Sequence, residues 1–315
     1  MIDKQELLSI ENAKLRRLAT FASISVASIL IIAKLFAYLT TDSVSVLSSL
    51  LDSVFDLVAS LVTAYGVASA LRPPDHNHRY GHGKAEPLAA LAQSAFIIGS
   101  SLLLVFESVD RIYHPHDISH ETIGYVVMAL AIVLTLALVF FQHHVVHKTH
   151  SIAIGADRLH YAGDVAVNLA VVGAFVLHHF TQQNWFDPIF AIAIAGGLLI
   201  SAFHILKQAL IALMDAELPN EQRENIHSIV RHQKGVVGVH DMRTRSDSDR
   251  IFIELHVEMD GAMTLQEAHE LSEEIMLALY AEIPNADIVI HQDPAGLEED
   301  RRDTQIAERW ATSAK

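Results

Sequence analysis

From Leu18 to Leu213 the chain reads as a succession of apolar runs, and this restricts its folds more than any other feature. Six runs reach the about 20 residues that a helix needs to cross a bilayer. They lie near Leu18–Leu39, Val44–Leu71, Glu86–Ile112, Thr122–Val146, Ile152–Phe180 and Pro188–Leu213. Backbone polar groups in lipid must pair within their own segment, so runs of this length predict helices. The expected architecture is an α-helical membrane protein with six transmembrane helices, followed by a smaller soluble domain. The first run is too long for a typical signal peptide and lacks a small-residue cleavage site, so it is expected to stay as a helix.

Charge divides the chain. The formal net charge is −15, and acidic residues crowd the stretch after Asp215. Lys4, Lys14, Arg16 and Arg17 precede the first run. Arg72, Arg79 and Lys84 follow the second, and Lys148 and Arg158 flank the fourth and fifth. The intervening loops hold only Arg111. The positive-inside rule puts the N-terminus in the cytoplasm, and six spans return the C-terminal domain there. The divisions expected are 1–17, a cytoplasmic segment; 18–213, the membrane domain; 214–297, a cytoplasmic domain; and 298–315, a charged, flexible tail.

Two apolar runs carry paired metal-ligating residues at helical spacing. Asp52 and Asp56 stand four apart in the second, and His160 and Asp164 stand four apart in the fifth. Residues at this spacing share a helix face. Three carboxylates at bilayer depth cost about 8–10 kcal/mol on insertion scales unless neutralised. Interhelical ion pairing would need cations. Lys34 and Lys207, each nearer a span end than its centre, are too few for three acids. Protons or a bound cation answer the need. Three carboxylate oxygens and one imidazole nitrogen make a tetrahedral set suited to Zn²⁺. The chain has no cysteine, which excludes thiolate ligation.

Two further groups have metal-ligand chemistry. Asp75, His78 and His82 lie in the loop after the second run, where His76 can substitute and a fourth position is left to water. A polar loop with incidental histidines reads the same way. In the soluble part the element order is αββαβ. A helix near Pro219–His232 precedes strands Val236–Arg245 and Arg250–Met259, joined through Ser246–Asp249. A helix Leu265–Glu282, capped by Thr264 and Glu267, precedes a strand Ala286–His291. His240, His256, His269, His291 and Asp293 fall on or beside these elements; His291 and Asp293 share a strand face. Solvated surface histidines are the plain alternative. Further histidines cluster at His114, His116 and His120, at His178 and His179, and at His143, His144, His147 and His150. These read as solvated loop ends.

Four stretches in this order resemble the cation diffusion facilitator family: Leu51-Asp-Ser-Val-Phe-Asp56, Asp75-His-Asn-His-Arg-Tyr-Gly-His-Gly-Lys-Ala-Glu86, Leu159-His-Tyr-Ala-Gly-Asp164 and Ile290-His-Gln-Asp-Pro294. The resemblance covers roughly residues 10–297. It implies a homodimeric antiporter of a bacterial inner membrane that exports Zn²⁺, Cd²⁺ or Fe²⁺ against an inward flow of protons, with no nucleic-acid partner. It implies transport at Asp52, Asp56, His160 and Asp164, and a second site at Asp75, His78 and His82. A binuclear structural or regulatory zinc site is implied at His240, His256, His269, His291 and Asp293, on a metallochaperone-like domain. Lys84 and Asp215 match a charge interlock, and Leu159 matches a hydrophobic gate. A zinc-sensing channel or receptor is the competing reading. An intramembrane metalloenzyme is disfavoured, because four protein ligands leave no open water position and no His-Glu-x-x-His helix is present.

Overall fold

The computed structural model describes residues 4–41, 44–113, 122–181, 185–296 and 301–313. The chain divides into two compact units, Met1–Leu213 and Met214–Lys315.

The first unit is helical: α1 (Lys4–Thr41), α2 (Val44–Ala70), α3 (Ala85–Tyr113), α4 (Thr122–Thr149), α5 (Ile152–Thr181) and α6 (Phe186–Leu213). Small residues let these helices approach closely. Ala195, Ala202 and Ala209 recur every seventh position along the buried seam of α6. At Gly66 of α2, a side chain would bring its Cβ within 2.3 Å of the Ala89 Cβ on α3. The end of the unit that holds the α2–α3 loop is tied by a buried ion pair. Arg16 reaches Glu86 at 3.2 Å and donates to the Thr149 carbonyl at 3.1 Å, joining α1, α3 and α4.

Among the described residues, five helices are long and apolar enough to cross a membrane. They are Leu8–Thr41, Val46–Ala70, Ala85–Asp110, Val126–Thr149 and Phe186–Leu213. The expectation of six is corrected to five. The run Ile152–Phe180 does form a helix, α5, but it is not among the five. Its first half carries Asp157, Arg158, His160 and Asp164, and polar groups of this kind belong in a bundle interior. Accordingly α5 packs against α3, α4 and α6, with contacts to α1 and α2.

The second unit runs α7 (Asn220–Arg231), β1 (Val236–Ser246), β2 (Ile251–Met259), α8 (Leu265–Glu282), β3 (Ala286–Pro294) and α9 (Arg302–Ser313). The sheet order is β1-β2-β3, with β1–β2 antiparallel and β2–β3 parallel. Asp247 accepts the backbone N–H of Arg250 at 3.1 Å and closes the hairpin. Alternation sorts β2. Ile253, Leu255, Val257 and Met259 join Ile226, Leu271, Ile275 and Leu279 in one core beneath α7 and α8. His256 and Glu258 therefore point to the other face. Thr264 and Glu267 form the reciprocal cap of α8. In the charged tail, Arg302–Ser313 is helical and its first turn is bonded to β1.

Candidate metal centres

In the helical unit, His160 and Asp56 close a contact across helices. His160 Nε2 lies 3.0 Å from Asp56 Oδ1 and 3.8 Å from Asp164 Oδ2. The α2 and α5 pairs thus meet, and Asp56, His160 and Asp164 present ligand atoms within 4.8 Å of one another. Asp52 is not in that close group. It lies one turn away, lining the same cavity of about 660 Å³. Lys34 and Asn168 line it too, and Lys34 Nζ donates to Ser53 Oγ at 2.7 Å. One lysine thus faces three carboxylates. The His160 ring is buried, edge-on to Phe96 at 5.5 Å. Leu159 beside it is half-buried.

Asp157 was missed by the sequence reading. It is buried, and its carboxylate accepts Ser23 Oγ of α1 and Gln142 Nε2 of α4, each at 2.7 Å. Ser60 of α2 is 3.5 Å from its other oxygen and 2.7 Å from the Tyr161 hydroxyl. This network braces α5 beside the cavity. Its signal was present: Asp157 precedes His160 by three and Asp164 by seven, a continuation of the helical period.

The loop group also converges. Asp75 Oδ1 accepts the backbone N–H groups of His78 at 2.7 Å and Asn77 at 2.9 Å. The His78 ring nitrogen lies 3.2 Å from that oxygen, and His82 Nε2 lies 3.3 Å from the other. The His78 N–H, with lesser help from Asn77 and the His78 ring, holds the Asp75 carboxyl below the usual range. His82 Nδ1 is buried without a hydrogen bond. His76 is exposed and outside the group. A left-handed Gly81, φ +88°, makes the turn that returns His82. Lys84 sits just before α3 and reaches the Leu213 carbonyl at 3.5 Å.

In the second unit the register aligns His240 with His256, and His256 with His291. Asp293 serves all three rings. Its Oδ2 lies 2.8 Å from His256 Nδ1 and 3.5 Å from His240 Nε2, and its Oδ1 lies 3.2 Å from His291 Nε2. His269 is not brought in. It is exposed on α8, which packs on the opposite sheet face. Asp215 adopts φ +54° and pairs with Arg245 at 3.6 Å. Asp241, in a β1 irregularity at φ +49°, accepts the N–H groups of Arg302 and Asp303. Burial pushes its carboxyl up, but these N–H groups and the nearby His240 outweigh that and leave it below the usual range.

Among the other histidines, His143 accepts from Arg158 at 2.8 Å, and its ring centroid lies 4.6 Å from that of His147. His144 and His150 are exposed. His114, His116 and His120 lie outside the described residues, as do the side chains of His178 and His179.

Comparison with known proteins agrees across the chain. A family model described as the cation efflux transmembrane domain matches residues 20–214, and another, cation efflux protein, cytoplasmic domain, matches 218–295. The cation-efflux pump FieF of Shewanella oneidensis is 43% identical over 282 residues, covering 90% of this chain and 95% of its own. FieF of Yersinia pestis is 44% identical over 279 residues, covering 89% and 93%. A solved structure of the putative zinc transporter CzrB is 33% identical, covers 25% of this chain and 99% of its own, and has a TM-score of 0.24.

Proposed function

The chain belongs to the cation diffusion facilitator family, and from that premise we propose that it exports Zn²⁺ from the cytoplasm in exchange for protons. The observation that carries this reading is the meeting of Asp56, His160 and Asp164 beside the cavity that Asp52 also lines. Zn²⁺ is the cargo there, and Cd²⁺ or Fe²⁺ suit the same donors. A ligand must give up its proton to bind a metal, so Zn²⁺ and H⁺ compete for the same atoms. Zn²⁺ enters from the cytoplasm and displaces protons. The helices then open outward, and external protons displace the metal. Lys34 offsets part of the acidic charge of the cavity when no metal is held there.

The basic residues Arg72, Arg79 and Lys84 assign their loop to the cytoplasm. Helix α5, though outside the five apolar helices, still carries the chain from α4 to α6, and the Lys84–Leu213 contact brings the end of α6 to the same end of the helical unit as this loop, which supports a cytoplasmic second unit. The basic segment around Lys14 and Arg17 supports a cytoplasmic N-terminus as well. The loop group at Asp75, His78 and His82 is a second metal site. His240, His256, His291 and Asp293 hold zinc that stabilises a homodimer and regulates transport.

Proteoliposomes with an internal pH dye test the proposal. Zn²⁺ flux should move protons the opposite way in fixed ratio. Asp52→Ala and Asp164→Ala should abolish flux at matched insertion. Wild-type flux in both variants would overturn the site assignment, and flux without proton movement would make the protein a channel.

A further inference from the structure

The match to the cytoplasmic-domain family ends at residue 295, and α9 lies beyond it. Its first turn is clasped from both sides. Asp241 accepts the N–H groups of Arg302 at 3.0 Å and Asp303 at 2.9 Å, while Asp303 accepts the Asp241 N–H at 2.9 Å. Arg301 pairs with Glu258 of β2. A lone exposed Arg–Glu pair contributes little. This pair is one arm of a clasp.

Asp241 and Glu258, two of the three acids in the clasp, lie beside His240. Glu258 Oε1 lies 3.6 Å from His240 Nε2, and Asp241 Oδ2 lies 4.0 Å from Nδ1. Asp293 Oδ2 lies 3.5 Å from Nε2. The His240 ring is 8% exposed, and its Nδ1 makes no hydrogen bond. Three carboxylates crowded on a buried imidazole need positive charge nearby. A divalent cation supplies it. So does the first turn of α9, which brings the Arg301 guanidinium and the positive end of a helix dipole to the same acids.

We propose that α9 is a latch released by metal. Arg301 and the first turn of α9 hold the acidic cluster when no cation is bound. A divalent cation at His240, His256 and Asp293 displaces them and takes Glu258 as a further ligand. The inference rests on the reading of this cluster as a metal site. Coupling of two ligands to one site is reciprocal. Metal loosens α9, and loss of the α9 charge tightens metal.

The test uses the full chain in detergent, with Asp164→Ala to remove the membrane site, and Zn²⁺ as the probe. Hydrogen–deuterium exchange reads the amides of residues 302–313. Saturating Zn²⁺ should speed their exchange about fivefold or more. Arg301→Gln should give fast exchange without Zn²⁺ and bind Zn²⁺ about fivefold more tightly. His240→Ala should abolish the response to Zn²⁺. Unchanged or slowed α9 exchange, with Zn²⁺ binding that is lost in His240→Ala, would overturn the latch and leave the metal site intact. Absence of any His240-dependent Zn²⁺ binding would overturn both.

Discussion

His160 Nε2 lies 3.0 Å from Asp56 Oδ1, across 104 positions of sequence. The contact joins α2 to α5 at the cavity, and it makes the imidazole the only nitrogen donor among the proposed cargo ligands.

Replacing that nitrogen should change the preferred metal. His160→Asp makes the donor set all oxygen, and harder ligands favour ions such as Mn²⁺ over Zn²⁺. Competition binding should show Mn²⁺ gaining on Zn²⁺. An unchanged metal order would remove His160 from the ligand set.

Asp157 is expected to be structural. In Asp157→Ala, Ser23 Oγ keeps the Ala19 carbonyl at 3.0 Å and Gln142 Nε2 keeps Ser23 Oγ at 3.0 Å, but the second amide hydrogen of Gln142 loses its acceptor in a buried setting, at about 1–3 kcal/mol. Thermal melting in detergent should fall clearly for Ala and less for Asn, which keeps an acceptor oxygen. Equal melting of wild type and Asp157→Ala would show that the network braces nothing.

Asp241 should give the second unit an acid-sensitive clasp. Its folded carboxyl lies below the ordinary value. Its contribution is therefore complete above the unfolded pKa of about 3.9 and is lost as pH falls through the folded value. Acid should loosen the first turn of α9, and Asp241→Asn should flatten that dependence. Exchange of residues 302–303, corrected for intrinsic rates and compared between about pH 3 and pH 6, measures it.

Asp293→Ala should remove most of the zinc-dependent rise in melting temperature of the second unit, since Asp293 faces three imidazoles. Transport should be impaired but not abolished, because the proposed cargo site lies in the other unit. A full zinc-dependent shift in Asp293→Ala would exclude this carboxylate as a ligand.

Local patterns were legible in the sequence. The Thr264–Glu267 cap, the Ser246–Asp249 turn and the i,i+4 pairs on α2 and α5 all depend on neighbours a few positions away. Features made by distant contacts were not. Helix α1 begins at Lys4, well before the apolar run, because polar helical turns outside lipid leave no hydropathy signal. The docking of α9 depends on Asp241, some sixty positions earlier. Asp157 was overlooked because its partners lie on α1, α2 and α4. His269 was grouped with the other histidines because sequence alone does not show that a sheet stands between them. Six apolar runs suggested six spans, whereas the polar load of α5 sets it apart from the five helices that qualify.

The strand register sets an order of assembly. His240 and His256 face each other in the β1–β2 hairpin, whose two strands are neighbours in sequence. Asp293 arrives only with β3, after α8 has formed and crossed over to lay that strand parallel to β2. A truncated or half-folded chain therefore presents two imidazoles without their shared carboxylate. The proposed zinc site is thus complete only once the last strand is in place.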